Sequence, residues 1–351
     1  MNIHDILDQL VQKKGSDVHI IAGSKVTLRI DGQLVPVEES PELNRENCES
    51  LIYPLMTKEQ VELVKENKEL DFGYQFKDLG RFRINAYHHK GILAAALRLI
   101  PNEIKTLEEL QMPPVLHDFA HFKQGLVLVT GPTGEGKSTT LAALIDEINS
   151  KRSEHILTIE DPIEFVYTPK KSLISQRELN QDTKSWEVAL RSALREDPDV
   201  VLVGEMRDYE TIAAAITVAE TGHLVFATLH TNSASQTIDR IIDVFPANQQ
   251  DQVRQQMAQV IKAVVSQRLI PMTSGGRVPA CEIMLANSAV KNLIREAKTY
   301  QIDNVMQTSS EQGMNLIENS LYSLVQRGAI SVEKAKEYAF RPKELERLIG
   351  A

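Results

Sequence analysis

Leu126-Val-Leu-Val-Thr-Gly131-Pro-Thr-Gly-Glu-Gly136-Lys137-Ser138-Thr-Thr-Leu141 is the stretch on which the fold turns. Leu126 to Val129 form an unbroken apolar run of the kind that becomes a buried parallel strand. The run enters Gly131-x-x-x-x-Gly136-Lys137-Ser138, after which Leu141, Leu144, Ile145 and Ile148 recur at helical spacing. Strand, glycine-rich loop and helix together make a P-loop. Its glycines let the backbone curl so that successive N–H groups point inward at phosphate oxygens, and the helix N-terminus adds its positive dipole end. The nucleotide-binding residues are therefore expected to be Gly131, Pro132, Thr133, Gly134, Glu135, Gly136, Lys137, Ser138 and Thr139. Lys137 should reach the β- and γ-phosphates, and Ser138 should hold Mg²⁺. The ligand expected is ATP with Mg²⁺.

Hydrolysis needs acids as well as a phosphate cradle. Asp199-Val-Val-Leu-Val-Gly-Glu205 reads as a second buried strand with a carboxylate at its C-terminal end. That is where such a fold presents an acid to the hydrated metal, so Glu205 is the second expected Mg²⁺ contact, through water. A third strand, Ile156 to Ile159, ends in Glu160-Asp161-Pro162-Ile163-Glu164. Carboxylates beside a γ-phosphate are costly unless they face a cation or an attacking water, so the cluster points to chemistry. The plainer reading is a solvated strand end.

Working outward, residues 1–100 mix a leading amphipathic helix (Ile3, Ile6, Leu7, Leu10, Val11) with short strands. Val26 to Pro36 reads as a hairpin turning at Asp31-Gly32. Phe72 to Phe76 and Arg81 to Ala86 read as paired strands. Residues 101–114, closed by Pro113-Pro114, read as a linker. From 115 to 351 buried strands alternate with helices, the pattern of a doubly wound parallel sheet with helices at its C-terminal end. Within it, Asp251 to Leu269 reads as one long amphipathic helix with Val253, Met257, Val260, Ile261 and Val264 inward. Trp186 to Leu194 reads as a helix carrying Arg191, with Arg195 one turn further on. Those two arginines face either nucleotide, a next subunit or solvent.

Composition narrows the partners. A formal charge of −9 over 351 residues argues against a nucleic-acid motor, which needs a basic surface. No apolar run approaches the ~18–20 residues of a membrane span, and the first residues lack signal-peptide character. Cytoplasmic placement without membrane insertion is the expectation. The two cysteines, Cys48 and Cys281, are far apart, so neither a disulfide framework nor a zinc module is expected.

Family resemblance enters at the P-loop and three further ordered motifs. Glu160-Asp161-Pro162-Ile163-Glu164 resembles the aspartate box of the secretion-type ATPases, Gly204-Glu205-Met206-Arg207-Asp208 resembles their Walker B, and Thr221-Gly222-His223 through His230-Thr-Asn resembles their histidine box. Gly15-Ser16-Asp17-Val18-His19 and Gly80-Arg81-Phe82-Arg83 are also similar to this group, nearest to the type IV pilus retraction ATPases. The likeness runs from about Ile6 to about Ala339. It implies a RecA-like P-loop domain preceded by a smaller α+β PAS-like domain. It implies Glu164 as the general base, His223 and His230 as γ-phosphate sensors, and Arg83 and Arg98 as arginines supplied in trans to a neighbour's nucleotide. Ordinary salt bridges for the arginines and structural histidines are the alternative readings. It further implies a homohexameric ring working on the pilus machinery through an inner-membrane platform protein, peripheral to that membrane. Ala289 to Glu296 is similar to a segment that relatives need for retraction beyond hydrolysis.

Two features keep other readings open. Assembly-side relatives typically carry a four-cysteine zinc module and extra N-terminal domains, both missing here. A secretion or conjugation traffic ATPase of the same superfamily is nevertheless an alternative. Glu135 stands where relatives usually carry a small residue such as Ser. A carboxylate so near the phosphates should weaken binding unless it turns to solvent or meets a cation. The expectation is that it turns outward, so that Glu135→Ser would hydrolyse ATP at least as well. A catalytically weak accessory subunit is the third reading.

Overall fold

The computed structural model describes residues 2–30, 32–77, 80–100 and 103–350. The chain divides into two compact units, residues 1–103 with 162–166, and residues 104–161 with 167–351.

The smaller unit contains α1 (Ile3–Gln12), β1 (Asp17–Ile20), β2 (Thr27–Ile30), β3 (Gln33–Pro36), α2 (Arg45–Ile52), α3 (Lys58–Asn67), β4 (Glu69–Phe76), β5 (Gly80–His89) and β6 (Ile92–Ile100). Its sheet is antiparallel throughout, in the order β3-β2-β1-β6-β5-β4. Side chains alternate across it with period two. Phe82, Ile84, Ala86, Val18 and Leu97 enter a core with Ile6, Leu7 and Leu10 of α1. The intervening residues make a polar face. Arg29, Asp17, Arg98 and Arg83 lie directly opposite one another on β2, β1, β6 and β5, in one row. β2 and β3 pair as expected; Asp31, named for their turn, lies outside the described residues. Pro101, the expected start of the linker, also lies outside them. Ile104 to Asp161 belongs to the larger unit, where Leu107 and Met112 are buried.

The larger unit contains α4 (Leu116–Phe119), β7 (Gly125–Thr130), α5 (Lys137–Lys151), β8 (His155–Glu160), β9 (Leu173–Glu178), α6 (Trp186–Ala193), β10 (Val200–Val203), α7 (Tyr209–Glu220), β11 (Leu224–Leu229), α8 (Ala234–Asp243) and α9 (Ala247–Val260). It continues with β12 (Ile261–Pro271), β13 (Arg277–Leu285), α10 (Ser288–Arg295), α11 (Ile302–Thr308), α12 (Ile317–Gln326), α13 (Val332–Tyr338) and α14 (Pro342–Ile349). The sheet order is β13-β12-β7-β11-β10-β8-β9. All neighbours are parallel except β12 with β13. Every residue of β7, β10 and β11 is buried, which is why these strands read as continuous apolar runs.

The long helix expected over 251–269 is not formed. Its helical part, α9, ends at Val260, and Ile261 to Pro271 is a strand laddered to β7 on one side and β13 on the other. Val264 and Val265 are both fully buried. A one-sided helix face would expose one of them, whereas a central strand covered on both faces buries both. Arg191 is exposed and paired with Glu187 one turn back at 2.7 Å. α12 and α14 pack on the far end of the β12–β13 ribbon through Ile317, Leu321, Leu345, Ile270 and Val278.

Candidate active site

β7 delivers the loop from the middle of the parallel sheet. Thr130, its last residue, is held by Ser266 of β12 through a 2.8 Å hydroxyl–hydroxyl bond. Gly131 then takes φ +142°, a conformation that L side chains rarely adopt. A Cβ there would run into the Gln267 carbonyl, so the position is closed to other residues on two counts. α5 starts at Lys137 with Gly136 in the left-handed region and no side-chain cap, leaving its first-turn N–H groups for a ligand. Lys137 curls back over the loop. Its Nζ donates to the carbonyls of Gly131 at 2.8 Å and Pro132 at 2.9 Å, and lies 3.5 Å from His230 Nδ1.

The parallel strand order brings distant residues to the same edge. β11 lies next to β7 and β10 next to β11, all parallel, so the residues after them emerge on the same edge as the loop. His230, after β11, places Nε2 2.7 Å from Glu205 Oε1, after β10. Arg207 Nε lies 2.5 Å from the same oxygen. Burial pushes the Glu205 carboxyl up, but Arg207 and His230 outweigh it and hold it below the usual glutamate range. The result is a chain of contacts from Lys137 through His230 and Glu205 to Arg207. A cavity of about 560 Å³ beside it is lined by Thr133, Glu205, Arg207, His230 and Arg240. A second, of about 330 Å³, lies on the other side of the loop against Gly136, Thr139, Leu110, Met112 and Leu269.

Glu205 and Ser138 are a carboxylate and a hydroxyl, hard oxygen donors of the type Mg²⁺ takes while keeping most of its waters. The donor chemistry therefore fits the metal. Within the acid cluster, Glu160 is buried and accepts from Thr158 at 2.7 Å and Gln176 at 3.3 Å, a structural commitment. Glu164 lies on the segment 162–166, which groups with the smaller unit, as Arg81, Arg83 and Arg98 do. The structure thus assembles Lys137, Glu205 and His230 within one unit and carries Glu164 and the arginines in the other.

The sequence profile of the type II/IV secretion system protein family matches residues 1–338. The chain belongs to that family. It is 47% identical to the "Type IV pilus retractation ATPase PilT" of Pseudomonas aeruginosa over 343 residues, 98% of this chain and 99% of the relative. It is 50% identical to a "Twitching motility protein" of Neisseria gonorrhoeae, over 89% of this chain and 83% of the relative. The crystal structure of the pilus retraction motor PilT with bound ADP superposes with a TM-score of 0.92, covering 99% of both chains.

Inside this member of the type II/IV secretion system family, two expectations, those for His223 and Glu135, meet a different placement. His223 precedes β11 while His230 follows it, so the six-residue strand sets them about 20 Å apart. His223 Nδ1 lies 3.0 Å from both the Val218 carbonyl and the Thr221 hydroxyl, at the edge of the sheet away from the loop. Of the two histidines, His230 is the one that lies beside the loop. Glu135 does not turn to solvent. Its carboxylate accepts from the Leu269 N–H and lies 3.6 Å from Arg268. The two trans-arginine candidates are paired already: Arg98 donates to Asp17 at 2.8 Å and Arg83 lies 3.9 Å from Asp71. The Arg83–Asp71 pair is exposed on both sides and worth about 0–1 kcal/mol, whereas Asp17 is buried beneath the exposed Arg98. Burial raises the Asp17 carboxyl, but the Ser16 hydroxyl and Arg98 hold it below the usual range.

Sequence reasoning passed over Arg207, although it stands two residues from Glu205, and Gln267, which it had placed in a helix.

Proposed function

We infer that this ATPase is the ring motor of type IV pilus retraction, in which ATP binds the P-loop of one subunit and is completed by arginines of the next. The observation that carries the reading is the full-length likeness to the ADP-bound pilus retraction motor, 47% identical over 99% of both chains. The type II/IV secretion system family contains other machines, but the curated relatives at this level of identity are named for pilus retraction and twitching.

The proposed roles follow from the chemistry. The P-loop N–H groups and Lys137 bind the phosphates, and Lys137 gives up its two backbone carbonyls to do so. Ser138 directly and Glu205 through water would hold Mg²⁺, which would supply positive charge against the phosphates. Glu164 orients and deprotonates the attacking water. His230, between Lys137 and Glu205, reports loss of the γ-phosphate to both. Arg83 and Arg98 leave their carboxylates for a neighbour's γ-phosphate, where charge develops in the transition state. The domain scheme is residues 1–100, a hinge at 101–114 and the ATPase domain from 115, opening and closing as ATP and ADP bind different states. A homohexamer is the proposed assembly, and an inner-membrane platform protein is its proposed partner. No helix among the described residues is long and apolar enough to cross a membrane. Cytoplasmic placement, at the membrane through partners, is the proposed location.

Steady-state ATP hydrolysis of the parent and Glu164→Ala, with oligomer size measured on the same samples, tests this. A ring-sized species should turn over ATP, and the variant should lose about 10²–10⁴-fold in kcat while still binding nucleotide. Equal turnover in the two would remove Glu164 as base. A monomer with full turnover would remove the ring and its trans arginines.

A further inference from the structure

β12 outlasts its neighbour. β7 stops at Thr130, opposite Ser266, but β12 runs on to Pro271. Beyond Ser266, therefore, the backbone groups on that side of β12 have no strand to pair with, and the P-loop takes the vacated place. The Gln267 carbonyl lies against Gly131. Two residues later the Leu269 N–H, on the same side, donates to the Glu135 carboxylate. A side-chain oxygen of the loop stands in for the carbonyl of a missing strand.

The same residue is held a second time. Gln267, almost fully buried, donates through Nε2 to the Glu135 carbonyl at 2.7 Å, and its Oε1 accepts from Thr140 of α5 at 2.8 Å. One amide thus fixes the end of the loop to the first turn of the helix that follows it. The Glu135 charge is answered by Arg268, at 3.6 Å, which also donates to Asn232 at 2.9 Å and lies over the Phe340 ring. Asn232 follows His230 by two residues, so the anchor of the loop and the histidine segment share a guanidinium.

The physical need is evident from the loop itself. Three of its residues, Gly131, Gly134 and Gly136, have positive φ, and a glycine-rich segment of this kind is entropically costly to order. Tethers that order it before ligand arrives lower the cost charged to binding. Resting on the P-loop reading above, we propose that Glu135 is a positioning residue for nucleotide. Its carboxylate caps the unpaired end of β12 and holds the loop in its phosphate-receiving shape before ATP arrives. This reverses the expectation drawn from charge alone: the acid strengthens nucleotide binding.

The test measures the affinity of a fluorescent ADP analogue, together with KM and kcat for ATP, in the full chain and in Glu135→Ser, Glu135→Gln and Lys137→Ala. Glu135→Ser should weaken the analogue and raise KM by about tenfold, the worth of one net hydrogen bond, with a smaller fall in kcat. Glu135→Gln is isosteric and keeps an oxygen for the Leu269 N–H, so it should recover to within about threefold of the parent. A serine variant that binds as tightly as the parent overturns the proposal, because the acid would then be tolerated and not used. A glutamine variant as weak as the serine one also overturns it, because the bond to Leu269 would not be the cause. Lys137→Ala separates the two levels. If it binds the analogue like the parent, the P-loop reading fails, whatever Glu135 does.

Discussion

Glu282 should make this protein less stable as pH rises from about 4.5 to about 7, the opposite of the usual behaviour of a paired carboxylate. It sits fully buried on β13, where Oε1 accepts from the Ala234 N–H at the start of α8, at 2.9 Å. Facing it from the C-terminal segment is Arg341, 3.6 Å away. Arg341 is shared: it bonds Glu318 of α12 at 2.8 Å and also Asp303 of α11. One guanidinium therefore serves three carboxylates. Burial pushes the Glu282 carboxyl up to about 7, since the Ala234 N–H and Arg341 together do not repay its lost hydration. In the unfolded chain it titrates near 4.5. Between those values the native state holds a proton that the unfolded state does not. The stabilisation is complete below about 4.5 and is lost as pH rises through about 7. At 1.36 kcal/mol per unit, the displacement is worth about 3 kcal/mol. Glu282→Gln keeps the acceptor for Ala234 and carries no proton to lose. Urea unfolding at intervals from pH 4 to 8 should show the parent losing about 3 kcal/mol more than the variant, with the two closest at the acid end. Parallel curves would refute the argument and place the excess charge elsewhere in the cluster.

Gly131→Ala should cost more than about 3 kcal/mol and abolish nucleotide binding, since a Cβ at φ +142° meets the Gln267 main chain, which cannot rotate away. Melting and nucleotide titration check it, and a variant that binds normally would show that the loop moves clear of β12. Cys48 and Cys281 are both buried, and burial pushes the Cys281 thiol up to about 12, so a thiol reagent should label neither at pH 8 until denaturant is added. Rapid labelling of the native protein would mean that the β12–β13 ribbon or the small unit opens readily.

Much of the site was legible because its signal is contiguous. Strand, glycine loop and helix follow one another within sixteen residues from Leu126 to Leu141, and each is specified by its own residues: apolar run, positive-φ glycines, helical spacing. Glu205 was legible as a strand end for the same reason, and His230 through the motif that resembles the family's histidine box. What could not be read was which strand end meets which. Lys137, His230 and Glu205 come together because β7, β11 and β10 are adjacent and parallel, an order that no local pattern carries. The histidine pair shows a signal that was present and unused. A six-residue strand between two residues puts them at opposite edges of a sheet, which its length alone implies.

By itself, then, the sequence determined a phosphate loop on a parallel sheet, an antiparallel unit before it, and the kind of acids and cations that serve ATP. Tertiary structure alone decided the two questions that hinge on β12. Val260 to Leu269 satisfies the spacing of a helix face and the composition of a buried strand equally well. Only the open edge of β7, whose backbone groups require a partner, makes it a strand. Once β12 is there and extends past Thr130, its unpaired Leu269 N–H draws Glu135 inward. The side chain that charge alone would send to solvent becomes an anchor of the loop.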